Sequence, residues 1–304
     1  MNPTLPMQAD DRLTAERDGS TAELLLWWTH VPALSGEKLG VIGGFGASGE
    51  AAAREALEQA CDRLRAQGCT LAVGPMDGNT WRRYRFVTEN GNEPPFFLES
   101  TNPPGWPDWW QATGFAPLAQ YYSAATDELE SRDPRLAEVA EHVRAEGITL
   151  RALDPASFEE ELDRIYDVSV ASFHENYLYT PLPRADFVAQ YLAVRALVRP
   201  ELVRLAERGG ETVGFMFAIP DQAQAQRGEP VTNVIMKTIA VRPECGGMGL
   251  GGLMFAEVHA AARALGFKCA IHALMHETNK SRRMSAHYGR IIRRYTLFAR
   301  RLAP

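Results

Sequence analysis

Ten consecutive residues in the last third of the chain combine a proline turn, five glycines and the start of a helix: Pro243, Glu244, Cys245, Gly246, Gly247, Met248, Gly249, Leu250, Gly251 and Gly252. Before them Val234 to Val241 is rich in β-branched and apolar residues, and after them Leu253 to Leu265 is an alanine-rich helical stretch closed by Gly266. A strand, a glycine turn and a helix N-terminus in that order aim unpaired backbone N–H groups and the positive end of a helix dipole at one point. Such a point holds anions, and a phosphate is its natural occupant.

Three phosphate-binding patterns compete for this stretch. A nucleotide-triphosphatase loop is excluded, because no Gly-Lys-Ser or Gly-Lys-Thr follows the glycines. The dinucleotide fingerprint is matched literally by Gly247 to Gly252, but Pro243 separates it from its strand and the next strand, Lys268 to Met275, ends without the acidic ribose ligand. The third pattern fits better. Val241, Pro243, Gly249 and Gly251 stand as in the acetyl-CoA loop of the GNAT (N-acetyltransferase) superfamily, which this segment resembles; Gly246 stands where that family usually carries Arg or Gln. The resemblance implies acetyl-CoA or another acyl-CoA as co-substrate. It places the pyrophosphate on the backbone N–H groups of Gly247, Met248, Gly249, Leu250, Gly251 and Gly252, with weaker affinity where Gly246 replaces the side-chain contact.

The family's reaction, direct attack of an amine on a thioester, needs an oxyanion donor, a base for the amine proton and an acid for the thiolate. The resemblance assigns the first to backbone N–H groups near Ile239 and Val241. The strand glutamate that many relatives use as base falls on Lys237, and a lysine acts as a base only if burial pulls its pKa well below ~10.4. Lys237 is therefore read first as a ligand for an acidic group, or as a surface residue. Replacement bases are His174 or Glu175, between the first two helices, and His276 or Glu277, after the next strand. Asn279 matches the family's contact to the pantetheine arm. Tyr288, nine residues on rather than seven, is the candidate acid, with a core aromatic as its other reading. The expected site is Tyr288, Glu277 and His174 for catalysis, with Ile239, Val241, Gly247 to Gly252 and Asn279 for the acyl-CoA. The stretch from Phe173 to Tyr179 is where acceptor contacts are expected.

The elements around these residues follow the family's order. Gly147 to Leu153 reads as a first strand, Pro155 to Phe173 and Arg184 to Leu197 as helices, and Glu201 to Leu205 and Thr212 to Pro220 as a hairpin around Arg208, Gly209 and Gly210. Then come the loop and its helix, the strand Lys268 to Met275, a helix Asn279 to Tyr288 and the strand Ile291 to Leu302. The N-terminal half repeats part of this: Arg65 to Val73 reads like Arg263 to Ile271, each after a strand, glycines and a helix. The expected fold is an α/β (α+β) mixed sheet in two GNAT-like domains in tandem. Residues 22–127 are a truncated copy without the usual CoA site, 128–146 a linker helix and 147–304 the acyl-CoA-binding domain; residues 1–21 are expected to lack order. In the first copy Gly74 to Trp81 and Pro94 to Glu99 are turn-rich and aromatic. They read first as turns sealing a small core, and second as the wall of a binding site.

Composition bounds the rest. The 304 residues carry a net charge of -6, divided unevenly: residues 1–146 hold 12 basic against 22 acidic side chains, and residues 147–304 hold 20 against 16. The half with the phosphate loop is the basic one, which suits a polyanionic co-substrate by long-range attraction. No stretch reaches the ~18 apolar residues of a membrane span, and no secretory signal core precedes the first domain. Cys61, Cys69, Cys245 and Cys269 lack paired metal spacing, so no metal is expected and a cytoplasmic setting follows. The basic and aromatic residues from Arg290 to Arg301 alternate as in a half-buried strand, which speaks against nucleic acid as a partner. The expected activity is N-acetyltransfer to a small-molecule or peptide amine. The alternatives are a non-catalytic CoA-binding or interaction module and an aminoacyl-tRNA-dependent transferase.

Overall fold

The computed structural model describes residues 8–130, 133–278 and 289–302. The N-terminal half starts with a hairpin, β1 (Asp11–Arg17) and β2 (Ser20–Trp27), followed by β3 (Leu39–Ala47), α1 (Glu50–Ala66), β4 (Leu71–Gly74), β5 (Phe86–Glu89), α2 (Trp106–Ala112) and β6 (Ala116–Thr126). After α3 (Leu136–Ala145) the C-terminal half runs β7 (Ile148–Ala152), α4 (Phe158–Phe173), α5 (Arg184–Leu192), β8 (Val203–Arg208), β9 (Glu211–Pro220), α6 (Gln222–Gln226), β10 (Asn233–Val241), α7 (Leu250–Ala264), β11 (Cys269–His276) and β12 (Arg290–Arg301). The second half thus follows the expected order. The second helix stops at Leu192, short of the expected Leu197, and the helix expected over Asn279 to Tyr288 lies outside the described residues.

The expectation that residues 1–21 lack order is corrected for β1. Leu13 and Ala15 face Leu24 and Ala22 of β2 and pack on α1, so the alternation of apolar and polar residues is read out as a paired strand. The tandem design is plain in the sheet. β1–β2, β3, α1, β4 and β6 repeat β8–β9, β10, α7, β11 and β12, and no counterpart of β7, α4 and α5 precedes β1 among the described residues.

All strands on the main path share one sheet, in the order β1-β2-β3-β4-β12-β6-β11-β10-β9-β8-β7, with β5 pairing β12 off that path. The halves exchange their last strands. β12, from the end of the chain, lies between β4 and β6, and β6, from the first half, lies against β11. Helices α1 and α2 cover one face of the first half around Trp110, Phe45 and Phe86. In the second half α4 and α5 bury Phe158, Leu162, Ile165 and Phe187 on one face, while α3 and α7 bury Val143, Leu250, Met254 and Val258 on the other. Each fully buried side chain of this size contributes ~1.5–3 kcal/mol. No helix among the described residues is long and apolar enough to cross a membrane.

Candidate active site

The site begins where two parallel strands part. β10 pairs β11 from Asn233↔Cys269 to Met236↔His272 and no further, while its antiparallel pairing to β9 continues to Val241↔Gly214. Lys237 is the extra residue of a bulge at that point, between Met236↔Ala218 and Thr238↔Phe217. β11 bulges at the same level against β6, between His272 and Met275, and Leu274 there adopts a left-handed backbone with its N–H donated to Ser123 Oγ at 3.1 Å. A slot opens between the strands with Lys237 at its apex. Arg242 donates its N–H to the Val213 carbonyl of β9 at 2.8 Å, so strand alternation turns the Ile239 and Val241 N–H groups the other way, into the slot.

The glycine loop stands at the mouth of this slot. Pro243–Cys245 forms a single 3₁₀ turn closed by Gly246 N–H to Pro243 O at 3.0 Å, and Cys245 is buried there as a plain small residue. Gly247 and Gly249 have φ of 86° and 83°, a region open to glycine at little cost. α7 then starts with Gly249 as N-cap and no side-chain cap, and its first tertiary-free bond is Leu253 N–H to Gly249 O. The backbone N–H groups of residues 247 to 252 have no backbone acceptor among the described residues. A Cβ at Gly247 or Gly252 would meet nothing within 4 Å, whereas one at Gly249 would lie 2.8 Å from Val139 Cγ1 of α3. The arrangement is a cradle with free donors and open space in front of it. It fits a pyrophosphate.

The first copy lacks this cradle. The equivalent gap between β3 and β4 is closed by the chain itself: Met76 donates its N–H to Ile42 O at 2.8 Å, and Asp77 Oδ1 accepts the Gly44 N–H at 2.7 Å. The start of α1 is covered by the β1–β2 turn, where Ser20 Oγ accepts the Ala52 N–H at 3.4 Å.

On the α4–α5 side the slot is walled by both halves. Tyr177 lies 5.6 Å from the His276 ring, and Tyr121 of β6 lies 4.8 Å from it. Trp81 packs edge-on against Tyr179 at 6.2 Å and Phe187 at 5.9 Å, and its indole N–H donates to Thr180 O at 2.7 Å. The stretch from Gly74 to Trp81 thus does both: Met76 is buried in the core of the first half, while Trp81 walls the cleft of the other half. Likewise Phe96 joins the core under α4 and Phe97 donates its N–H to Asp221 Oδ1 at 2.7 Å. Tyr191 of α5 hydrogen-bonds the Thr238 side chain across the cleft, and burial raises its pKa to about 12.

The candidate bases separate in this geometry. His174 is exposed at the end of α4, with Nδ1 2.9 Å from Ala171 O and Nε2 3.7 Å from Glu175; no contact joins it to the slot among the described residues. Glu277 pairs with Arg294 at 3.4 Å, which holds its carboxylate toward β12. His276 has its Nδ1 3.2 Å from the Thr278 N–H and 2.8 Å from Thr278 Oγ1, which leaves Nε2 to carry the proton of the neutral ring. Burial, then Arg85, lowers its pKa against the opposing pull of Glu277. Lys237 remains open to water yet deep in the cleft, and burial, then the charge of Arg85, holds its pKa below the ordinary lysine value. The shift is in the direction a basic lysine requires. Asn279 and Tyr288 lie outside the described residues. Sequence reasoning missed Arg85 and Tyr121, which come from the first half and reach this site only because β6 lies against β11.

Comparison with known proteins adds the relationship. Residues 162–289 match the acetyltransferase (GNAT) family. A curated relative, the bacterial ceramide synthase of Caulobacter vibrioides, is 22% identical over 164 residues, 54% of this chain and 43% of that protein. The chain thus spans less than half the length of that relative. Among solved structures, a GCN5-related N-acetyltransferase from Sphaerobacter thermophilus matches 94% of this chain and 77% of its own at TM-score 0.53 and 13% identity. A tandem GNAT protein from the clavulanic acid biosynthesis pathway matches 98% and 85% at TM-score 0.51 and 12% identity. At these identities the likeness is one of fold.

Proposed function

We propose that this chain, which carries a GNAT-family domain at residues 162–289 within a tandem GNAT-like fold, is an acyltransferase that moves an acetyl or other short acyl group from acyl-CoA to an amine. The observation that carries the reading is the row of unpaired N–H groups from Gly247 to Gly252 facing an open slot between β10 and β11. Those groups, with the start of α7 behind them, would hold the pyrophosphate. Acyl-CoA supplies an activated acyl group, whose C–S bond is exchanged for an amide C–N bond while one proton leaves the amine and one is returned to the thiolate.

The protein's own residues supply the remainder. The N–H groups of Ile239 and Val241 point into the slot and are placed to donate to an oxyanion. Lys237, neutral more readily than an ordinary lysine, accepts the amine proton in place of the missing glutamate. His276 presents Nε2–H to the same cleft between two tyrosine rings and is suited to donate a proton or hydrogen bond. Tyr177, Tyr179 and Trp81 shape the acceptor side and exclude water from it. The name of the curated relative, a ceramide synthase, denotes formation of an amide, which agrees in bond type with an amine acceptor here.

Calorimetric titration with acetyl-CoA, beside NAD and ATP, tests the reading. Binding of acetyl-CoA alone, abolished by Gly252→Glu, is the expected result; Gly252 has room for the new side chain, so the loss reports charge in the cradle rather than damage to the fold. Absence of binding by the unmodified protein would reduce the loop to a structural remnant.

A further inference from the structure

Arg85 is the least explained charged residue in the molecule. Its side chain is 6% exposed and its backbone, at φ 64°, is left-handed, with the N–H donated to Pro75 O at 2.7 Å. The guanidinium lies 4.1 Å from the Tyr84 ring centre, 4.2 Å from that of Tyr121 and 5.5 Å from that of Tyr295. Among the described residues its side chain takes part in no ion pair, and Nη1 is buried without a hydrogen-bond partner. The rings soften the cost of burying this cation, but ring faces do not replace acceptors in its plane.

The carboxylates on the surrounding elements are committed elsewhere. Glu99 takes Arg293 at 2.9 Å and the Tyr295 hydroxyl, Glu277 takes Arg294, and Asp77 lies 3.8 Å from Arg83 and accepts the Gly44 N–H. The charge of Arg85 acts on Tyr121 and Tyr295, whose rings lie against it, and on Lys237 and His276, the two groups at the apex and wall of the slot. Tyr121, which stacks on Arg85, also stacks on His276. A planar five-donor fork with no acid to bind, set beside the residues that face the amine, is an incomplete half of a bidentate pair.

We infer that Arg85 binds a carboxylate of the acceptor, so that the amine acylated by this protein is an anionic one of the amino-acid class, its carboxylate held by the first half of the chain while its amine faces the slot of the second. The inference rests on the acyltransferase reading above and narrows it. It also disfavours polyamines, because the Arg85 cation already flanks the place a second positive charge would occupy.

The test uses the full chain with acetyl-CoA and matched acceptor pairs that differ only in the carboxylate: glycine and glycinamide, alanine and alaninamide, glutamate and its diamide, beside spermidine and a long-chain amino alcohol. Thiol release is measured. Expected is a preference in kcat/KM for the acid over its amide of at least about tenfold, because a site with unpaired polar groups rejects the analogue that leaves them unpaired. In Arg85→Met that preference collapses through a raised KM while the acetyl-CoA Kd is unchanged, and Arg85→Lys retains part of it. If Arg85→Met does not fold, the paired acceptors on the unmodified protein decide by themselves. Acids and amides turned over equally, turnover confined to neutral or cationic amines, or no acid acylated while acetyl-CoA binds, each overturns the inference and leaves the acyl-CoA site standing. Failure of acetyl-CoA to bind at all removes the acyltransferase reading, and this inference with it.

Discussion

At the scale of single residues, Lys237 is the position whose meaning changed most between sequence and structure. In the sequence it is a lysine at the position where the family resemblance implies a glutamate in many members; in the fold it is the extra residue of a bulge at the apex of the slot, within the charge of Arg85. If it is the base, Lys237→Met lowers kcat/KM by about 10²-fold or more while acetyl-CoA affinity, read by calorimetry, stays near that of the unmodified protein. The pH profile gives the sign. The neutral amine is the active form, so kcat/KM rises with pH through the pKa of Lys237, and the limb lies below the ordinary lysine value because burial lowers it; the variant lacks that limb. Linkage runs the same way, since the folded protein binds fewer protons than the unfolded chain between the lowered pKa and ~10.4, and stability rises with pH across that window. A second prediction concerns Tyr177, whose ring lies against His276. Tyr177→Ala raises the acceptor KM several-fold and leaves the acetyl-CoA KM nearly unchanged; the opposite pattern in initial-rate kinetics would move the acceptor to another face of the slot.

At the scale of elements, the loop and α7 carry two different kinds of glycine. Gly249 is held at φ 83° with Val139 of α3 at its back. Gly249→Ala therefore combines a left-handed alanine, ~1–2 kcal/mol, with a collision, and a lowered denaturation midpoint by chemical unfolding is expected. Gly252 sits inside the helix in open space. Gly252→Ala exchanges glycine for the best helix former and raises stability by ~0.5–1 kcal/mol in the same measurement, with acetyl-CoA binding largely retained because the backbone donors persist. The comparison separates a glycine needed for its backbone conformation from one that the helix does not need. The same contrast explains the two halves. Each has a strand, glycines and a helix, but Asp77 and Ser20 accept the Gly44 and Ala52 N–H groups of the first copy, while those of residues 247 to 252 in the second have no backbone acceptor among the described residues.

At the scale of the whole molecule, the two copies are neighbours in sequence and partners in one sheet. β12 pairs β4, β5 and β6, and β11 pairs β6, so the C-terminal half has no complete sheet without the first half. Residues 147–304 expressed alone are expected not to give a cooperative thermal transition by circular dichroism, whereas the full chain unfolds in one. A fragment that melted cooperatively would show that β12 can pair with β11 directly. The exchange also brings Tyr121 against His276 and leaves Trp81 against Tyr179, so the proposed acceptor site draws on the truncated copy despite its closed cradle.

How much of this was legible depends on the range of the interaction concerned. The loop from Pro243 to Gly252, the strand before it and the helix after it are local: left-handed glycines, a proline turn and apolar periodicity act within a few residues, and the sequence carried them into the structure nearly unchanged. The order of elements in the second half and the repeat at Arg65 to Val73 are local in the same sense. The strand at Asp11–Arg17 was missed because Leu13 and Ala15 acquire their meaning only opposite β2 and α1. The role of Lys237 depended on a bulge set by its pairing to β9, and its pKa on burial and on Arg85, 152 positions away in the chain. Sequence by itself determined the tandem α/β design and the glycine loop that opens α7, because backbone geometry is fixed by adjacent residues. Tertiary structure alone decided which cradle is open, which strands are exchanged and which side chains meet at the slot, because those depend on contacts between residues that only the folded sheet brings together.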